Sequence, residues 1–116
     1  MSAIAFDLPD DVVSARDGVA RFVEKEVAPR LDRHHALLAD ARRLYDERGA
    51  YAPEVRALIR DVRMASAQAG FYGMCAPLSI GGGGLGHLAY YVAWEAVYRR
   101  LGGHAVLTPW VIAHWA

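Results

Sequence analysis

Four consecutive glycines at positions 81–84 constrain this chain more than any other feature of its 116 residues. Glycine lacks a Cβ and loses the most backbone freedom on folding, so such a run suits neither a helix nor a strand interior. Regular structure must break there. On both sides, apolar residues recur at three- and four-residue spacing, the period of one helix face. Before the break, Val55, Leu58, Ile59, Val62, Ala65 and Ala69 form a stripe, with Glu54, Arg56, Arg60 and Arg63 outside it. Pro53 suits the first position of that helix, and Gly70 suits the left-handed residue that closes it. After the break, Leu88, Tyr91, Val92, Val97, Tyr98 and Leu101 predict a helix over residues 87–101, stopped by Gly102 and Gly103.

The same reading extends towards the N-terminus. Val12, Ala15, Val19, Phe22, Val23 and Val27 mark an amphipathic helix over residues 10–28. Pro9, Asp10 and Asp11 suit its positive end. Gly18 weakens it by about 1 kcal/mol, and Pro29 is expected to close or kink it. A further helix is expected over residues 31–48 on a narrow stripe of Leu31, Leu38, Ala41, Leu44 and Tyr45, with Gly49 and Pro53 bracketing a turn. The expected fold is therefore all-α, an orthogonal or antiparallel bundle of four to five helices forming a single domain over residues 1–116. Its last stretch, AVLTPWVIAHWA, carries no acidic or basic charge and no stop signal. It reads as a helix with one face uncovered, as though the sequence ended part-way through a larger fold.

Charge and composition exclude several classes of function. Thirteen basic and thirteen acidic residues cancel, and no basic stripe is present, which argues against nucleic acid. No apolar run reaches the roughly 20 residues that span a bilayer. The N-terminus has no secretory pattern, so a soluble, cytoplasmic chain is expected. A single cysteine, Cys75, excludes an intrachain disulfide, and its apolar surroundings suggest a buried thiol. The 54% hydrophobic content suggests surfaces that something else covers.

Three constellations invite chemistry. Gly81, Gly83 and Gly86 satisfy G-x-G-x-x-G, but no βαβ rhythm surrounds them and no Lys-Ser or Lys-Thr follows, so a flexible turn beside a cleft is the better reading. His34 and His35 cannot share one ligand from a helix, and His104 and His114 have no standard metal spacing, so no metal site is expected. Glu95 falls between Tyr91 or Val92 and Tyr98 on the apolar stripe. A buried carboxylate there is either a general base or a structural group paired with Arg99 one turn on, and the structural pairing is favoured. Trp94, Tyr98, Trp110 and Trp115 read as core or domain-interface packing.

The order GFYG, AP, GGGGLG, then a helix carrying Glu95 and Arg99, resembles the N-terminal helical domain of the acyl-CoA dehydrogenases. The resemblance covers nearly the whole chain. Pro77 and the glycines match the family's loop, while Leu78, Ser79 and Ile80 replace its usual acidic and tyrosine residues. The resemblance implies the N-terminal part of an FAD-dependent enzyme that removes a proton and a hydride from adjacent carbons of an acyl-CoA thioester. This domain would wall the acyl pocket and shield the flavin. Middle and C-terminal domains, or a partner chain, would supply the base and most FAD contacts, so neither catalysis nor tight FAD binding is expected of this chain alone. A homo-oligomer is expected. The family's pocket wall begins near Thr108, which makes Thr108, Val111 and His114 the substrate-contact candidates. The competing reading is a non-enzymatic helical interaction module, or a truncated product that needs a partner chain.

Overall fold

A computed structural model describes residues 7–114. The first helical rod begins as α1 (Asp10–Phe22), widens into a π turn (Val23–Val27) and continues as α2 (Ala28–Arg33). Two single-turn helices follow, α3 (His35–Leu38) and α4 (Ala41–Leu44), then the long helices α5 (Pro53–Gln68) and α6 (Gly86–Leu101). Counting the rod once gives five helices, and no strand occurs among the described residues. The all-α expectation holds.

The stripe read for the first helix is buried along its whole length, with Val19, Val23 and Val27 completely enclosed. Burying each such side chain contributes roughly 1.5–3 kcal/mol, which makes this rod the spine of the core. Pro29 does not end it. A proline ring lacks the N–H that an α-helix needs at that position, and the π turn absorbs the mismatch: the Ala28 N–H donates five residues back to Val23 O. Arg30 Nη1 then donates to the Glu26 carbonyl at 2.7 Å and to its carboxylate at 2.8 Å.

The helix expected over residues 31–48 is instead two single turns. Asp40 interrupts it by accepting the Arg42 N–H on its own side chain at 3.0 Å, which caps α4 and competes with continued helix. Leu37, absent from the expected stripe, is the buried residue of α3. A turn then closes through the Asp46 carboxylate, which accepts from Arg48 and Ala50 N–H, and the Tyr45 and Tyr51 rings stack 5.3 Å apart.

Helix α5 starts at Pro53 and buries Val55, Leu58, Ile59 and Val62 as expected. It ends in a Schellman motif. Phe71 N–H donates to Ser66 O at 2.9 Å and Gly70 N–H to Ala67 O at 3.1 Å, with Gly70 at φ 88°. Phe71 then tucks its ring against Gly18, where any side-chain carbon would lie 2.9 Å from the ring. The residue that looks like a weakness of α1 is the seat for this aromatic.

Helix α6 packs mainly on α1, and here the expected face is wrong in part. Ala89, Ala93, Trp94 and Val97 face inward, whereas Leu88, Tyr91 and Tyr98 face solvent. Two alanines let the helices approach closely, and that decides the rotation. The domain measures 47 × 40 × 22 Å, and its thickness is about two helix diameters. A slab that thin leaves broad faces outside its core.

Candidate functional site

The glycine run is a turn packed onto the preceding segment, and it borders a surface depression lined by Gly73, Gly81, Gly83 and Leu85. After the short 3-10 turn Leu78–Ile80, Gly81 takes φ 89° and reverses the chain, and residues 82–85 run back along residues 73–77. Gly83 N–H donates to Gly73 O at 2.9 Å, Gly84 N–H to Ala76 O at 2.8 Å, and Leu85 N–H to Met74 O at 3.0 Å. Backbone meets backbone so closely that a Cβ on Gly82 would sit 2.2 Å from Ala76 O. Cys75 is enclosed beneath this zipper, and burial raises its thiol pKa above the ordinary value.

The segment after α6 crosses the ends of two helices, and three hydrogen bonds tie it down. Thr108 Oγ1 donates to Gly102 O at 2.9 Å, Ser66 Oγ donates to Val111 O at 2.5 Å, and Ala113 N–H donates to Tyr72 O at 2.8 Å. Only Thr108–Trp110 is helical, as a 3-10 turn. A continuing α-helix needs the Ala113 N–H on Pro109 O, but that carbonyl pairs instead with His114 Nε2 at 2.9 Å. Leu107, Val111 and Ile112 are fully buried, so the expected uncovered helix face does not exist among the described residues. Trp115 lies outside them.

The three wall candidates separate. Thr108 and Val111 have no exposed surface, and the serine that holds Val111 in place was invisible as a site residue in the sequence. His114 is exposed and lies flat on Trp94, with ring centroids 4.9 Å apart. Because Pro109 O can only accept, His114 Nε2 carries a proton; in the neutral ring Nδ1 then accepts from the Tyr90 hydroxyl at 3.3 Å. Tyr90, Trp94 and His114 thus form one aromatic corner between α6 and the final segment.

Glu95 requires a correction. Its side chain is 61% exposed, on the same outward face as Leu88, Tyr91 and Tyr98. It does pair with Arg99, as a surface i,i+4 ion pair. A second surface pair, between Arg100 and Glu24, pins the end of α6 to the π turn and raises the guanidinium pKa through that hydrogen bond. Among the described residues, no Asp, Glu, Lys, Arg or His is buried, and no three His, Cys, Asp or Glu side chains stand together as a metal site. No helix is long and apolar enough to cross a membrane.

A thin helical slab with a backbone-zipped glycine loop and an aromatic corner defines a small all-α domain. The family model for the acyl-CoA dehydrogenase N-terminal domain matches residues 9–115, and the chain belongs to that family. Neither the comparison with curated proteins nor that with solved structures finds a match.

Proposed function

We propose that the chain is the N-terminal helical part of an FAD-dependent acyl-CoA dehydrogenase, forming one wall of the acyl pocket without catalysing the reaction alone. The family match over residues 9–115 carries this reading. The aromatic corner supports it, because the buried Trp94 holds the exposed His114 ring flat beside Tyr90, and such a braced edge can border an acyl chain. Thr108 and Val111 act from behind, as the buried support of that wall.

This reading places no flavin on the chain's own residues. The cleft between α1 and α5, about 560 Å³ and lined by Gly18, Arg21, Lys25 and Phe71, lies open at the surface. FAD chemistry and the base therefore belong, in this reading, to middle and C-terminal domains or to a partner chain. Leu78, Ile80, Leu88 and Tyr91 are exposed on the glycine loop and the adjoining half of α6, and they supply apolar surface for such a neighbour.

The test is to purify the native protein from its source and add saturated acyl-CoA. Bound flavin that bleaches on addition supports the proposal. Colourless protein that binds no acyl-CoA overturns it and favours a helical interaction module. Turnover by residues 1–116 alone would overturn the non-catalytic part.

A further inference from the structure

Arg56, Arg60 and Arg63 follow one another at i, i+4 and i+7 along the exposed face of α5. Like charges at this spacing repel, and among the described residues no carboxylate pairs with any of the three, although Glu54 and Asp61 flank the row. The row is therefore mildly destabilising by itself, and a bound anion would offset the repulsion.

The surroundings are shaped as well as charged. Arg63 is fixed in place: its Nε donates to the Tyr72 hydroxyl at 3.1 Å, and its guanidinium lies 5.5 Å from the centroids of both the Tyr72 and Trp110 rings. Two adjoining depressions, of about 340 and 290 Å³, share Arg60 and Arg63. The second also carries Arg56, Tyr51 and Trp110. Arg56 and Arg60 are exposed and unpaired among the described residues, so their forked donors remain available for phosphate oxygens.

We infer that this arginine row with its flanking rings is a binding site for a nucleoside diphosphate. The phosphates lie on Arg56 and Arg60, and the base lies against Tyr51 or Trp110. An inorganic anion would use the charges and leave the aromatic surface bare. A nucleic acid strand needs a longer basic track than three arginines on a chain of zero net charge. The site lies on α5 and its flanks; it shares the final segment with His114 through Trp110, and its charges and rings are argued without the acyl-pocket reading.

Tryptophan fluorescence of the 116-residue chain tests the inference, because Trp110 lies in the site. Adenosine diphosphate should change the signal saturably, with adenosine and inorganic pyrophosphate each binding roughly tenfold more weakly or worse, since each keeps half the contacts. Arg56→Gln with Arg60→Gln should weaken adenosine diphosphate by roughly tenfold or more while leaving the circular dichroism unchanged. The inference fails if adenosine diphosphate gives no saturable change, or if the double variant binds it as well as the native chain. It fails equally if pyrophosphate or poly-glutamate binds as tightly, which would mark a general polyanion surface.

Discussion

Replacing Gly82 with alanine separates a packed loop from a flexible one, because the two pictures differ in sign. In a mobile loop, Gly→Ala stabilises by about 0.4–1 kcal/mol through the unfolded chain. Here the new Cβ would sit 2.2 Å from Ala76 O and 2.5 Å from Ala76 C, closer than atoms can approach. Ala76 cannot step aside, since its carbonyl holds Gly84 N–H at 2.8 Å and its own N–H reaches Gly73 O at 3.3 Å. Relief requires opening the zipper formed by the N–H groups of Gly83, Gly84 and Leu85. Three such bonds at about 0.5–1.5 kcal/mol each make the expected loss about 2–4 kcal/mol. Gly81→Ala is the control. Nothing lies within 4 Å of its Cβ, so only the left-handed φ of 89° matters, at about 1–2 kcal/mol. Urea unfolding followed by circular dichroism reads both, and Gly82→Ala should lower the midpoint by about 1–3 M. A Gly82→Ala chain as stable as the native one, or more so, would refute the packing argument.

Three further outcomes follow from burial. Ser66→Ala removes the donor to Val111 O inside the core and should cost about 1–3 kcal/mol by thermal unfolding, freeing the final segment to proteolysis before the helices melt. Glu95→Ala should change stability by less than about 1 kcal/mol, because an exposed ion pair contributes little; a loss of several kcal/mol would restore the buried carboxylate. Cys75 should resist a thiol reagent in the folded chain and react on adding urea. Its folded pKa is raised by burial, so stability is complete below the unfolded thiol's pKa and falls as pH climbs through and above it, which unfolding at stepped alkaline pH would show.

What the sequence by itself determined was local and periodic. The stripes of α1 and α5, the proline start of α5 and the glycine stops at Gly70 and Gly102 depend on residues three or four apart, so they were legible without any partner. So was the family pattern, whose punctuation is a linear order of residues. The tertiary structure decided what depends on distant neighbours. Apolar spacing favoured Leu88, Tyr91 and Tyr98 alongside Val97 as the inner face of α6, yet packing on α1 selected Ala89 and Ala93 with Val97 and carried Glu95 outward with the larger residues. Composition made the glycines look loose, whereas the backbone of residues 73–77 runs too near to admit any side chain at Gly82. The final segment had the residues of a helix, but its hydrogen bonds were claimed by Ser66, Tyr72 and His114. Ser66 lies 45 positions before Val111, the carbonyl it holds, and such a pairing has no period for a linear reading to detect.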